Sequence, residues 1–183
     1  MSGLPGFALK GALPLLCLGL AACAEIDLRE DGQGVAAPAQ TAAAADGTPL
    51  YYKYGELGGS PDAPVDPDRA VNDYRAAHGL PRLSRTPQLV AAAEAHASDM
   101  ARTGMVGHVG SDGSSILDRV RAQGYDAARV AENAGWTARG FATVLEGWDE
   151  SPSHRKTLRL REVTDYGIGR SGQYWVLLVA RRR

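Results

Sequence analysis

Cysteine is almost absent from this chain of 183 residues, which contains only Cys17 and Cys23. No thiol follows position 23, so the folded part of the chain has no internal disulfide and depends on the packing of its core. A charge excess is also absent, because 20 Lys and Arg residues face 21 Asp and Glu residues. Without a broad positive field, nucleic acid is not an expected partner. The length fits one domain.

An apolar run near the start of the chain is too short for a permanent membrane span. GALPLLCLGLAA at residues 11–22 has 12 residues, whereas a transmembrane helix needs about 20. One cation precedes the run and small residues end it, which is typical of a secretory signal peptide. LAAC at residues 20–23 resembles the bacterial lipobox, in which the signal is cleaved before a cysteine that is then acylated. We therefore predict a signal peptide over residues 1–22 and a membrane anchor on Cys23; the alternative is an ordinary secreted protein.

The residues after Cys23 predict a tether and a location. Ala24, rather than Asp, after the lipobox cysteine implies sorting to the outer membrane where the host has one, so we expect a lipid-anchored protein of the bacterial cell envelope. Residues 23–65 are rich in Ala, Gly, Pro and Asp, the composition of a flexible linker. A linker of this length has an end-to-end distance of roughly 35–40 Å. The folded domain is expected over residues 66–183.

Four helices are predicted from caps and apolar spacing. A cap residue followed by proline begins two of them, and glycine ends both. Apolar residues at a 3.6-residue period predict two more. His96 lies on the apolar face of the second helix, where we expect a hydrogen-bonded core histidine. The predicted helices span residues 66–79, 86–104, 114–123 and 140–149.

Three extended segments are predicted, over residues 129–136, 166–170 and 173–181. The last two are joined by Ser171-Gly172, a two-residue hairpin signal. A G-x-G-x-x-G pattern over residues 167–172 falls in this hairpin with no helix after it, so its glycines are interpreted as turn and strand-packing residues. The order of elements predicts an α+β fold with a small, mainly antiparallel sheet.

Five sequence blocks occur in an order that is specific to one family. They are VNDYRAAHGLPRL at 71–83, LVAAAEAHASDMA at 89–101, GHVGSDGSSILDRV at 107–120, AEN at 131–133 and GWDESPSHRKTL at 147–158. Together they resemble the bacterial SCP-like branch of the CAP superfamily, the cysteine-rich secretory, antigen 5 and pathogenesis-related proteins. The resemblance covers about residues 66–180 and implies a three-layer α-β-α sandwich with a central cleft.

The same resemblance implies a cleft lined by two histidines and two glutamates. Three members of this tetrad have counterparts here, namely His108, Glu132 and His154. The position of the second glutamate is taken by Ser151, so the tetrad is incomplete. Asn133, next to the cleft glutamate, is expected either to satisfy buried backbone groups or to have a functional role.

Two imidazoles and one carboxylate allow two kinds of chemistry. They can hold zinc or another divalent ion with an open fourth position, or they can form a hydrogen-bonded network without metal, which we favour because one carboxylate and no thiolate do not ensure tight zinc binding. Our first hypothesis is a non-enzymatic protein that binds a small apolar molecule, a peptide or a glycan in the cleft. The alternative is a metal-assisted, peptidase-like hydrolase that uses His108, Glu132 and His154. No G-x-S-x-G or H-E-x-x-H motif occurs, so whether the protein is an enzyme stays open.

Overall fold

The computed structural model describes residues 25–27, 53–54 and 61–183. The predicted signal peptide, Cys23 and most of the predicted tether lie outside the described residues. Within them, the helices are α1 (Pro67–Ala77), α2 (Pro87–Thr103), α3 (Ile116–Ala122), α4 (Phe141–Glu150) and α5 (Pro152–Leu158). The strands are β1 (Glu25–Asp27), β2 (Lys53–Tyr54), β3 (Ser84–Arg85), β4 (Ala127–Thr137), β5 (Asp165–Ser171) and β6 (Tyr174–Arg182).

The helix boundaries follow local capping chemistry, and the four predicted helices are confirmed. Asp66 begins α1, since its Oδ1 accepts a hydrogen bond from the Asp68 backbone N–H at 2.9 Å. Ser115 and Asp118 form a capping box at the start of α3. Gly104 ends α2 in the left-handed conformation, at φ 73°. The seven-residue helix α5 was not predicted, because it is too short to show an apolar period.

The sheet is mainly antiparallel, as predicted. Its strand order is β1-β4-β6-β5-β3, and β2 also pairs with β4. The β4–β6 and β5–β6 pairs are antiparallel, whereas β2 and β3 make short parallel pairs. The predicted position of the β5–β6 turn was wrong by one residue. Ser171 pairs with Tyr174, so the turn consists of Gly172 and Gln173, with Gly172 at φ 58°.

Both faces of the sheet are covered, which confirms the three-layer sandwich. Alternate residues of β6 belong to two different core clusters. One cluster packs against α2 and α3, and the other packs against α1, α4 and α5. Burial on both faces explains why β6 is a continuous apolar run instead of an alternating one. In β6, Val176, Leu178 and Ala180 belong to the first cluster, and Trp175, Leu177 and Val179 to the second.

Two glycines allow β5 to lie directly against α2. A Cβ atom on Gly167 would lie 2.3 Å from the carbonyl carbon of Leu89, and one on Gly169 would lie 2.2 Å from that of Ala93. Side chains at these positions would therefore collide with helix backbone. The interpretation of these glycines as strand-packing residues is confirmed.

Parts of the predicted tether belong to the domain: residues 25–27 and 53–54 pair with β4 as β1 and β2, and its last residues contact α4. Asp62 accepts hydrogen bonds from the Thr143 backbone N–H at 2.8 Å and from the Thr143 hydroxyl at 2.9 Å. It thereby caps α4, whose own N-cap residue, Gly140, has no side chain. Arg139 adds an ion pair to Asp62 at 3.3 Å. This part of the chain is therefore attached to the fold next to α4.

Candidate functional site

Glu132 is a carboxylate inside the core. It lies on β4 between Val130 and Ala134, which pack in the cluster with α2 and α3. Because side chains alternate along a strand, Glu132 points to that same layer. Its side chain is 0% exposed. A buried charge is tolerated only with partners, and three elements supply them here.

The partners of Glu132 come from α2, α3 and the loop between these helices. The His108 Nδ1–H donates to Oε1 at 2.9 Å, and Arg119 Nη2 donates to Oε2 at 2.8 Å. His96 Nε2 lies 3.7 Å from Oε1 and donates to the Gly107 carbonyl at 2.8 Å. Both carboxylate oxygens of Glu132 are therefore engaged by positively charged or proton-donating groups.

These contacts keep Glu132 ionised. Burial by itself raises the pKa of its carboxyl. The hydrogen bond from His108 and the charges of Arg119, His96 and His108 lower the pKa by a larger amount, so that it is about 2. A carboxylate only accepts hydrogen bonds, so the proton in the contact with His108 is on Nδ1. In the neutral imidazole, Nε2 then carries the lone pair.

Arg119 joins the backbone and the side chain of His108. Its Nη1 donates to the His108 carbonyl at 3.1 Å and to the Ser114 carbonyl at 2.9 Å, while Nη2 holds Glu132. The capping box of α3 places Arg119 in the first turns of that helix. The side chain of Arg119 is 9% exposed. Arg119, Glu132 and His108 thus form a closed ring of contacts.

His108 lies in a loop that also carries two exposed apolar side chains. Its side chain is 17% exposed, and among the described residues its Nε2 has no hydrogen-bond partner. Met105 and Val109, three residues before and one residue after it, are 66% and 54% exposed. A hydrogen-bond acceptor therefore lies in the same short loop as two exposed apolar side chains.

His154 comes from the opposite layer, on α5. Its pKa is lowered to about 4, first by burial and second by the charge that His108 carries when protonated. Asn133 follows Glu132 on β4 and points to the other face, where its Nδ2 donates to the His154 carbonyl at 3.0 Å. This bond is of the backbone-satisfying kind, which is one of the two roles expected of Asn133. The Ser151 hydroxyl bonds to that of Ser153 at 3.1 Å.

The structure thus brings His108 and Glu132 into direct contact, whereas His154 lies on α5 in the opposite layer. Sequence reasoning missed Arg119 and assigned His96 to the core alone. His96 is indeed a hydrogen-bonded core residue, 1% exposed, but it also faces Glu132. A signal for the burial of Arg119, though not for its partner, was present, since it lies three residues after Ile116 at the border of the apolar stripe of α3.

The donor set does not fit a divalent metal. Within the described residues, no group of three or more His, Cys, Asp or Glu side chains is arranged to hold a metal ion. A metal on Glu132 would have to displace either the Arg119 guanidinium from Oε2 or the His108 N–H from Oε1. The zinc hypothesis therefore stays a prediction without support from this geometry.

Comparison with known proteins decides the family. The model of the CAP family, the cysteine-rich secretory protein family, matches residues 69–177. The chain belongs to the CAP family. The matched region begins within α1 and ends in β6, and it includes His108, Glu132 and His154.

The relatives of this CAP protein agree with the fold. It is 29% identical over 105 residues to the uncharacterized membrane protein YlbC of Bacillus subtilis (strain 168), which covers 57% of this chain and 30% of that protein. The chain therefore spans about three tenths of the length of this relative. A crystal structure of an extracellular protein with an SCP domain from Bacillus anthracis str. Ames matches with a TM-score of 0.60 and 23% identity, over 66% of this chain and 45% of that one. An outer surface protein of Borrelia burgdorferi matches with a TM-score of 0.56 and 18% identity, over 63% of this chain and 90% of that one.

The stability of this CAP domain is expected to fall as the pH drops below about 6.5. The pKa of His154 is about 4 against an ordinary 6.5, so between these values only the unfolded chain binds the proton, and stability is lost as pH falls. The pKa of Glu132 is about 2 against an ordinary 4.5. Its contribution is complete above pH 4.5 and is lost as the pH falls towards 2. Each difference corresponds to roughly 3 kcal/mol.

Urea unfolding of His154→Gln at several pH values checks this expectation. The variant should show little pH dependence between 6.5 and 4.5, whereas the wild type should lose stability there. His78→Gln, which replaces a histidine on the surface outside this cluster, is the matched control and should retain the wild-type slope in that window. Equal slopes in wild type and His154→Gln would show that His154 does not titrate as described.

Proposed function

We propose that the protein is a lipid-anchored CAP protein of the bacterial cell envelope that binds a small, mainly apolar molecule in the cleft beside His108. Acylated Cys23 is the anchor, and residues 23–65, of which 25–27 and 53–54 pair in the sheet, follow it. The observation that carries the binding proposal is the free Nε2 acceptor of His108 in a loop with exposed Met105 and Val109. Peptides and glycans are the other ligand classes to be compared.

The site chemistry defines what such a ligand must offer. Since Glu132 keeps the proton of His108 on Nδ1, Nε2 of the neutral imidazole accepts, and a ligand that binds it brings an O–H or N–H donor. Covering the side chains of Met105 and Val109 favours binding by about 25 cal/mol for each Å² of apolar area that the ligand removes from water. An apolar molecule with one donor group meets both demands, whereas a glycan would leave the two apolar side chains poorly covered.

The hydrolase alternative gains no support from the site. Hydrolysis requires a positioned nucleophile or activated water in addition to a base. The hydroxyls of Ser151 and Ser153 bond to each other, and no hydrogen bond links either of them to His108 among the described residues. Glu132, the third group of the hypothetical metal site, is already paired with Arg119.

The binding proposal is tested by identifying small molecules that co-purify with the full chain. Mass spectrometry should find an apolar compound in the wild type and at least about tenfold less in the Met105→Ser, Val109→Ser double variant, because two apolar contacts are lost. Val65→Ser is the matched control, since Val65 is exposed but outside this loop. Absence of any such compound, together with no change in melting temperature across lipid, peptide and glycan panels, would contradict the proposal.

The anchor is tested with two cysteine variants. Wild type and Cys17→Ser should incorporate an alkyne-labelled fatty acid and sediment with membranes, whereas Cys23→Ser should lose all label, because the acyl chains attach to Cys23 alone. None of the described helices is long and apolar enough to cross a bilayer. Label retained in Cys23→Ser, or an unlabelled wild type, would contradict the anchor. In a host with two membranes, fractionation should place the label in the outer one.

A further inference from the structure

Arg119 occupies the place at Glu132 that a metal ion would need. Oε2 of Glu132 accepts from Arg119 Nη2 at 2.8 Å, and Oε1 accepts from His108 at 2.9 Å. Zinc binds carboxylate oxygen at about 2.0–2.2 Å. A dication at that distance from Oε2 would lie in the space of the guanidinium and be repelled by its charge.

His108 cannot share a metal with Glu132 in this arrangement. Its Nδ1 faces Glu132 but carries a proton, and a metal-ligating imidazole nitrogen must offer a lone pair. Its Nε2 does carry the lone pair, but the two ring nitrogens point in different directions. A metal on Nε2 would therefore leave Glu132 out of its coordination shell.

Arg119 is held too firmly to move aside at low cost. Its Nη1 donates to two backbone carbonyls, those of His108 and Ser114, and its side chain is 9% exposed. The same guanidinium fixes the His108 carbonyl directly and the His108 ring through Glu132. Removing it would leave the Glu132 charge buried without its cation, which favours the protonated carboxyl, and a protonated carboxyl no longer holds the proton on Nδ1 of His108.

We propose that Arg119 is the permanent cation of this site, in place of a divalent metal, and that it is the positioning residue that holds His108 with its proton on Nδ1. The proposal deepens the proposed function, because it rests on His108 as the ligand-binding acceptor. It predicts that ligand binding in the cleft does not require a divalent ion. It also predicts that loss of Arg119 disturbs the Nδ1–H tautomer of His108 although the His108 side chain is still present.

The test is nitrogen NMR of the histidine rings in the full, tag-free chain. The chain has four histidines, so histidine-selective labelling gives four imidazole patterns that single substitutions can assign. Wild-type His108 should show the Nδ1–H tautomer, and its signals should not move with one equivalent of Zn²⁺. In Arg119→Met the fraction of neutral Nδ1–H tautomer should fall at least about twofold. Arg121→Met, which removes a charge from the same helix outside the site, is the matched control and should leave His108 unchanged.

Arg119→Lys keeps the experiment decisive if Arg119→Met does not fold. Lysine retains the charge but not the forked contacts. The Nδ1–H fraction of His108 should therefore lie between those of wild type and Arg119→Met. If Arg119→Met does not fold, the fraction in Arg119→Lys should be lower than in wild type. A wild-type His108 that shifts with one equivalent of Zn²⁺, or a tautomer that is unchanged in both Arg119 variants, would overturn the proposal. An empty cleft in the mass spectra would contradict the proposed function without altering either result.

Discussion

Replacing Gly169 with alanine is expected to destabilise the fold by about 3 kcal/mol or more. The new Cβ would lie 2.2 Å from the carbonyl carbon of Ala93 and an equal 2.2 Å from the backbone nitrogen of Glu94. Backbone atoms of a helix cannot rotate away as a side chain can, so β5 and α2 must separate. That separation weakens the packing between the sheet and the helix that carries His96. Gly167→Ala should behave in the same way, since its Cβ would meet the backbone of Leu89 and Val90 at 2.3–2.4 Å.

Urea unfolding followed by the fluorescence of the buried Trp148 and Trp175 measures this effect. Gly107→Ala is the matched control, because a Cβ there has nothing within 4 Å and the backbone is outside the left-handed region. We expect a change below about 0.5 kcal/mol for the control. If Gly169→Ala and Gly107→Ala unfolded at the same urea concentration, that result would contradict the close contact between β5 and α2.

Replacing Glu132 with glutamine is expected to destabilise the protein by about 3–5 kcal/mol. Glutamine has the same shape, but it removes the charge opposite Arg119 and brings an N–H₂ group that must face either Arg119 or the His108 N–H. One pair of donors would then be left without an acceptor in a buried place. The double variant Glu132→Gln, Arg119→Met should lose less stability than the sum of the two single variants, because each removes the charge that the other leaves unpaired.

Asp73→Asn is the control for this substitution. Asp73 also has two arginine partners, Arg69 at 3.1 Å and Arg82 at 3.3 Å, but its side chain is 50% exposed. An exposed ion pair contributes little, and we expect a loss much smaller than that of Glu132→Gln. Similar losses for Glu132→Gln and Asp73→Asn would show that burial does not govern the energetics of the Glu132 cluster.

Much of the fold could be predicted from the chain because its signals are local. The Asp66-Pro67 start and the Gly104 stop act within one helical turn, so they can be read without knowing what the helix packs against. The hairpin turn was placed one residue early, since the register of two strands depends on pairing along their whole length. The helix α5 was missed because seven residues contain too few apolar positions to define a face.

The candidate site could be predicted only in part. Motif positions indicated His108, Glu132 and His154, and the structure places them on a loop, a central strand and α5. The ion pair with Arg119 was not foreseen, because nothing in the local sequence says that a strand carboxylate and an arginine on α3 face each other. The interpretation of Asn133 as a partner of buried backbone groups agrees with its bond to the His154 carbonyl.

By itself, the sequence determined the family, the α+β class, the positions of α1 to α4 and the expectation of an acylated Cys23, because each depends on residues close together in the chain or on motifs in a specific order. Only the tertiary structure decided the state of the site. Glu132 is a buried anion because β4, α3 and the loop before α3 meet around it and supply Arg119 and His108 at hydrogen-bonding distance. The charge of a buried group is set by its neighbours in space, and those neighbours are 13 and 24 residues away along the chain.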